Sequence, residues 1–434
     1  MVAALVFGTT DTGLAYSMRS YFETDELNIK LCYICSDDSA KTATCLLLDK
    51  EKKYVAFGND AAIQYAKLAK NEKQNDYYFF DRFAMSLHNN ENVTRDMVLK
   101  DKTGKPCSVV EVFTLSIKAL FDCLTETIGV GEFCHDRVLW VLTVPSASTD
   151  SAKQLMRESA EKAGINQERL LLVTEPEAAF TFCHYKPTTR LHGSKPGHMI
   201  KEPGTISMVV DLGDMTADIT VLQQTYNGQL EVLCRATGDD CGGTSVDDSL
   251  CNMLEEIVGK KVTTESKREH PMDWLDMLHD FRYKMKWFAK HIYLKYPCSL
   301  NDIGEEFHDK NLKSVIESSS YVNELTLCID KFKFKVDLII KLLTPTIDSI
   351  ITLMKNTVSN LSTNGVSNNV SNIIMVGGLS DYHMIQDAVY RAFPDNQIII
   401  PLKVDCSVLF GAVLFGHRPD YIWSELRDEE GIGK

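Results

Sequence analysis

Residues 208–222 read MVVDLGDMTADITVL, and the rest of the chain can be read outward from them. An apolar β-type run, Met208 to Val210, delivers Asp211 to its end, and a tight turn follows at Gly213. Thr216 and a second carboxylate, Asp218, come next, before a second apolar run from Ile219 to Leu222. Two strand-like runs around a short Gly-containing turn predict a hairpin. Such a hairpin has two readings. It is an ordinary turn with polar residues, or it is a phosphate and metal site. In the second case the turn's N–H groups and the Thr hydroxyl face phosphate oxygens, and the aspartates hold hydrated Mg²⁺.

The same design stands at the start of the chain. Residues 2–8, VAALVFG, form an apolar strand that leads into Gly8-Thr9-Thr10-Asp11-Thr12-Gly13, and a strand pattern resumes at Leu14. Laying Val6-Phe7-Gly8-Thr9-Thr10 beside Asp211-Leu212-Gly213-Asp214-Met215-Thr216 gives two related hairpins about two hundred residues apart. A repeat at that period predicts two similar lobes, with room for a phosphate chain between the two turns. Other buried strands end in chemistry-bearing residues. Residues 170–173 run into Thr174-Glu175-Pro176-Glu177, where Glu175 is either a site carboxylate or a helix cap. Residues 373–376 end in Gly377-Gly378, where a flat ligand can approach the backbone. Gly242-Gly243 opens a helix and is a candidate anion site, and Asp405-Cys406-Ser407 caps the last apolar helix.

Further expectations concern the inserts and connections. Residues 271–292 read as one long basic-aromatic helix with a solvated basic face, and the polar segment 301–328 as a small strand pair. Pro345 predicts a bend or new start within the helix 330–355, residues 359–371 a Ser/Asn-rich loop, and residues 186–203 the linker between lobes.

Composition narrows the function. At 434 residues the chain exceeds the ~250–300 at which one core stops growing. A net charge of −14 argues against binding to nucleic acid or an anionic membrane surface. No run reaches the ~20 apolar residues of a membrane span, and the N-terminal run lacks a basic flank and signal-peptide length. Thirteen scattered cysteines predict reduced thiols in a cytoplasmic or nuclear compartment. The one C-x-x-C pair, Cys32 and Cys35, sits in an apolar strand and reads as core packing.

Several signatures occur together and in order: GTT at 8–10, VPS at 144–146, EPEAA at 175–179, DLGDMTAD at 211–218, GG at 242–243, VGG at 376–378 and DCSVLFGA at 405–412. Jointly they resemble the nucleotide-binding domain of the 70-kDa heat-shock protein family. FGTT-x-x-G-x-AYS (7–17), PTIDSII (345–351), IIIP (398–401) and GAVLFG (411–416) resemble its divergent branch named heat shock 70 kDa protein 12. The resemblance covers nearly the whole chain. It implies an α/β, two-lobed actin-like ATPase fold, two duplicated ribonuclease-H-like domains with a nucleotide cleft between them. The lobes would span 1–195, with an insert at about 39–108, and 204–416, with an insert at about 246–344. Residues 417–434 form a tail, and with the chain ending there no peptide-binding domain is expected.

The resemblance also implies ATP or ADP with Mg²⁺, and protein partners or co-chaperones. By position, Gly8, Thr9, Thr10, Gly213 and Thr216 would hold phosphates, and Asp211 and Glu175 would orient Mg²⁺ through water. Gly242, Gly243, Gly377 and Gly378 would face the nucleoside, and Asp405 would close its pocket. Arg82 would replace the family's catalytic lysine.

Three residues depart from the family pattern. Val6 stands where the family has Asp, and Asp214 and Met215 stand where it has glycines. A carboxylate about 4 Å from a phosphate oxygen repels it by roughly 4 kcal/mol at an effective dielectric of 20. Met215 places a Cβ where positive φ is expected, a further cost of order 1 kcal/mol. Restoring Asp at 6 and Gly at 214 and 215 is therefore expected to strengthen ATP binding. Three functions remain open: a nucleotide switch with weak or no hydrolysis, a pseudo-ATPase scaffold for protein partners, and a small-molecule kinase of the same superfamily.

Overall fold

The apolar run of residues 2–7 is buried on both of its faces, as in a strand covered from two sides. It is β1, Val2–Phe7, and it turns back into β2, Asp11–Ser17. Lys30–Cys32 (β3) and Lys41–Ala43 (β4) both pair with β2, while Leu139–Val144 (β5) and Leu170–Thr174 (β6) extend the sheet in parallel beyond β1. The path is β3-β2-β1-β5-β6. The chain then repeats itself. Ile206–Leu212 (β7), Ala217–Gln224 (β8) and Leu230–Gly238 (β9) form an antiparallel meander, and Val370–Val376 (β10) and Gln397–Pro401 (β11) extend it in parallel. The second path, β9-β8-β7-β10-β11, is the first with its strands renamed. This is the expected α/β actin-like architecture.

This computed structural model describes residues 1–34, 40–88, 90–129, 137–186, 191–193, 200, 202–226, 229–239, 241–287, 291–363, 369–402 and 404–419. Cys35, Lys290, the tail beyond 419 and most of the predicted linker lie outside the described residues. Within that linker, Leu191–His192 pairs with Ile400 and Pro401 at the edge of the second sheet.

Two helices fill the space between the sheets. The first, α1, is Glu175–Tyr185, and the last, Val404–His417, is apolar all round and accordingly buried. They cross where Gly411 lies against the Ala178 carbonyl. Inward-facing residues of both sheets, among them Val6, Val141, Val209 and Ile374, join both helices in one core. Alternate residues of β1 (Ala3, Leu5, Phe7) and β7 (Met208, Val210, Leu212) face two separate outer cores. Asp211 and its counterpart Val6 thus both point inward, toward the junction of the lobes.

The inserts depart from the sequence expectations. Residues 301–328 do not form a strand pair alone. Helices Ser299–His308 and Leu312–Glu317 come first, and the hairpin is Leu325–Cys328 with Lys331–Lys335. The signal lay in apolar spacing (Leu312, Ile316) behind Asn311, whose side chain accepts the Ser314 N–H at 2.9 Å as a helix cap. Helix Val336–Thr363 runs through Pro345 and into the predicted Ser/Asn loop. The basic-aromatic helix stops at Lys286, and His291–Lys295 is a strand.

Candidate functional site

The two hairpins end in the same four-residue turn. Gly8 N–H donates to the Asp11 carbonyl at 3.0 Å, and Gly213 N–H donates to the Thr216 carbonyl at 3.0 Å. The register matches as well: Val6 lies opposite Gly13, and Asp211 opposite Asp218. The first turn is braced from behind by Thr44. Its N–H donates to the Thr10 carbonyl at 2.7 Å, and its hydroxyl donates to the Gly8 carbonyl at 2.9 Å. The carbonyls are thereby occupied, while the amides of Thr9 and Thr10 make no hydrogen bond among the described residues. The Thr10 hydroxyl is also buried without a partner among the described residues. In the second turn the Asp214 and Met215 amides are likewise unspent. Two turns with spare donors make a concave anion site.

The second turn rests on Gly242-Gly243, where Gly242 caps and Gly243 begins helix α2, Gly243–Val258. Gly243 N–H donates to the Gly213 carbonyl at 3.1 Å and Thr244 N–H to the Asp214 carbonyl at 2.6 Å. A Cβ on Gly242 would strike the Met215 backbone and come to 2.5 Å from the Asp214 oxygen. This pair therefore supports the turn from beneath, and the first amides of α2 are committed to protein carbonyls instead of an open anion site.

Both suspicions about Asp214 and Met215 meet a structural answer. Met215 is not among the residues with positive φ, so the turn imposes no left-handed strain on it. Asp214 is paired: Arg282 Nη1 lies 3.2 Å from its Oδ2. Arg282 also grips Asp247 on α2, with Nε 3.0 Å from both oxygens and Nη2 2.6 Å from Oδ2. Arg282 comes from helix α3, Pro271–Lys286, whose Lys286 one turn on meets Asp381 at 3.1 Å and Asp405 at 3.7 Å. The basic side of this helix thus faces the cleft and not solvent. Sequence reasoning missed both roles, although the i, i+4 spacing put the two cations on one face.

The carboxylates sort into separate tasks. Glu177, not Glu175, caps α1: its Oε2 accepts from the Thr174 N–H at 3.0 Å and hydroxyl at 2.6 Å. Glu175 is left facing the cleft. Asp218 is consumed by the protein, accepting from Thr216 at 3.2 Å and Thr237 at 2.7 Å, with His88 Nε2 at 3.1 Å. The Thr216 hydroxyl is therefore turned into this network and away from a phosphate role. His88 belongs to the first lobe, so this contact ties the lobes together.

Asp211 remains, with its Oδ1 beside Gly377, whose φ of +83° and lack of a Cβ allow the approach. A Cβ on Gly378 would lie 3.9 Å from Asp405 Oδ1. Burial, then the charge of Asp218, pushes Asp211 up to about 6, with Lys41 opposing. Burial, then Asp211 and Asp218, holds Glu175 well above the usual carboxylate range. This crowding of negative charge suits a divalent cation. No three metal-binding side chains converge among the described residues, but Mg²⁺ needs only one or two carboxylates beside water and phosphate.

Arg82 stands elsewhere. It is exposed at φ +52°, its N–H donates to the Thr44 carbonyl at 3.1 Å, and its guanidinium pairs with nothing among the described residues. The cation that bears on Asp211 and Glu175 is Lys41, which no motif flagged. No helix among the described residues is long and apolar enough to cross a membrane.

Comparison with known proteins agrees with this geometry. Heat shock 70 kDa protein 12A of Homo sapiens is 29% identical over 484 aligned residues, covering 97% of this chain and 70% of that protein. Heat shock 70 kDa protein 12B of Homo sapiens is 27% identical, with 97% and 69% covered. Chaperone protein HscA of Proteus mirabilis is 36% identical over 159 residues, 36% of this chain and 22% of that protein. Residues 85–418 match the Hsp70 protein family. The chain belongs to that family, and its similarity to the 12A and 12B proteins runs along nearly its whole length.

Proposed function

We propose that this chain binds an adenine nucleotide with Mg²⁺ between its lobes and acts as a conformational switch with weak or no hydrolysis. The carrying observation is the pair of matched turns, whose amides and Thr10 hydroxyl are left unspent. Gly8, Thr9 and Thr10 would receive one part of the phosphate chain, and the Gly213–Thr216 backbone the other. Asp211 and Glu175 would hold Mg²⁺ through water, the ion supplying neutralisation of phosphate charge. Gly377, Gly378 and Asp405 would border the nucleoside. Family membership supports the ligand, since Hsp70 domains generally take ATP or ADP with Mg²⁺.

Weak turnover is the reading favoured by Val6. Phosphoryl transfer to water relies on positioning and charge, and here one lobe supplies an aspartate where the other supplies an apolar side chain. The same observation favours, as a second reading, a scaffold that binds protein partners without turnover. Calorimetric titration with Mg-ATP tests the proposal. Saturable heat is expected, and the absence of both heat and a thermal shift at millimolar ATP would refute it. Single-turnover hydrolysis then ranks the switch against the scaffold.

A further inference from the structure

We propose that Lys41 is the cation that meets the polyphosphate of the bound nucleotide in this chain, reaching it from β4 across Gly13. The inference rests on the nucleotide reading above and deepens it.

The register places Lys41. It lies opposite Gly13 in the β2–β4 pair, and Gly13 lies opposite Val6 in the β1–β2 pair. At the matching positions of the second hairpin stand Asp218 and Asp211. A Cβ on Gly13 would sit 3.7 Å from Lys41 Cγ, so the lysine's aliphatic stem passes over the glycine. Where the second lobe presents an aspartate pair, the first presents a lysine. The charges that bear on it are those of Asp11 at the end of the first turn, Asp405 and Cys406 on the last helix, and Asp211 on β7.

The other described cations near the cleft differ from Lys41 in the carboxylates they bear on. Arg282 is held by Asp247 and Asp214, Lys286 by Asp381 and Asp405, and Arg82 is exposed. Lys41 alone among them acts on both Asp211 and Glu175. A compact ammonium on a flexible four-carbon stem can exchange carboxylate neighbours for phosphate oxygens as Mg²⁺ takes over the carboxylates.

The test is calorimetric titration of the purified chain with Mg-ADP and, separately, with adenosine, which carries the base and ribose without phosphate. Lys41→Met is expected to weaken Mg-ADP binding by about tenfold or more and to leave adenosine affinity within about twofold. Lys41→Arg keeps the charge and is expected to restore most of the loss. A folding defect would lower adenosine affinity as well, which separates it from loss of a phosphate contact. Lys41→Met binding Mg-ADP as wild type does overturns the inference alone, as does Arg82→Ala taking the loss in its place. A wild-type chain that binds neither ligand overturns the nucleotide reading with it.

Discussion

Replacing Arg282 with methionine removes the one charge shared by Asp214 and Asp247, and the consequence for phosphate binding can be worked out. Arg282 lies 3.2 Å from Asp214 and 2.6 Å from Asp247, with side chains 21%, 25% and 11% exposed. With Arg282 gone, Asp214 stands in the phosphate turn as a bare carboxylate. Its repulsion of a phosphate about 4 Å away is roughly 4 kcal/mol at an effective dielectric of 20. Partial exposure and physiological salt take about half of that, leaving ~2 kcal/mol, or a loss of roughly 30-fold in Mg-ADP affinity. Asp214→Asn in the Arg282→Met background should recover most of the loss. Asp214→Asn alone should tighten binding by less than about threefold, because the charge it removes is already matched. Calorimetry with Mg-ADP at 0.15 M salt gives all four corners of the cycle. Thermal unfolding of the unliganded proteins separates affinity from the stability lost with the Asp247 pair. If Asp214→Asn alone tightened binding tenfold while Arg282→Met changed nothing, Arg282 would not be neutralising Asp214, and the repulsion expected from sequence would stand.

The remaining predictions concern protons and the first hairpin. Mg-ADP affinity should fall as pH drops from 7 to 5, because Asp211 at about 6 and Glu175, held well above the usual carboxylate range by burial, must lose protons to serve a metal, while adenosine affinity stays flat. A flat Mg-ADP profile would remove both residues from the metal site. Burial would lower the pKa of His88, but its hydrogen bond to Asp218 and the charges of Asp218 and Asp239 outweigh burial and raise it. Its stabilising contribution is therefore complete below its unfolded value near ~6.5 and is lost as pH rises through the higher folded value. Denaturant midpoints measured across that window should show this slope in wild type and lack it in His88→Gln. Val6→Asp puts a carboxylate opposite Gly13, next to Lys41, in the core between the lobes. It should lower stability by about 1–3 kcal/mol in chemical unfolding and, by occupying Lys41, weaken Mg-ADP instead of strengthening it.

What could be read from sequence was what is local. Two apolar strands around a Gly turn carry their own signal of turn chemistry, so both hairpins, their equivalence and the likeness of the two lobes were legible. The charge pattern of the cleft was not, because its pairs are long-range. Arg282 meets Asp214 across 68 positions, and His88 meets Asp218 across 130. Read without those partners, Asp214 is repulsive and Asp218 is a metal ligand. Read with them, one is neutralised and the other is a hub of protein hydrogen bonds. Lys41 was invisible for a related reason: a three-residue strand carries no motif, and its importance comes from the glycine it crosses. The Gly242-Gly243 pair was noticed, but whether a glycine faces a ligand or a neighbouring backbone depends on what packs against it.

The two hairpins share a turn, a register and a sheet order, so backbone geometry alone cannot tell a hydrolase from a binding scaffold here. The difference lies in four side chains at matched positions. Val6 and Gly13 in one lobe answer Asp211 and Asp218 in the other, and Lys41 occupies the ground that Gly13 leaves open. With two carboxylates fewer and one cation more than a symmetric pair of aspartate hairpins, the cleft on the proposed reading would hold a polyanion more readily than it would organise a metal-bound attack on it. Val6 also belongs to the core that joins the sheets, so the aspartate expected there would cost packing between the lobes. Val6 is thus a residue that holds the lobes together, as the proposed nucleotide-operated switch or scaffold would require.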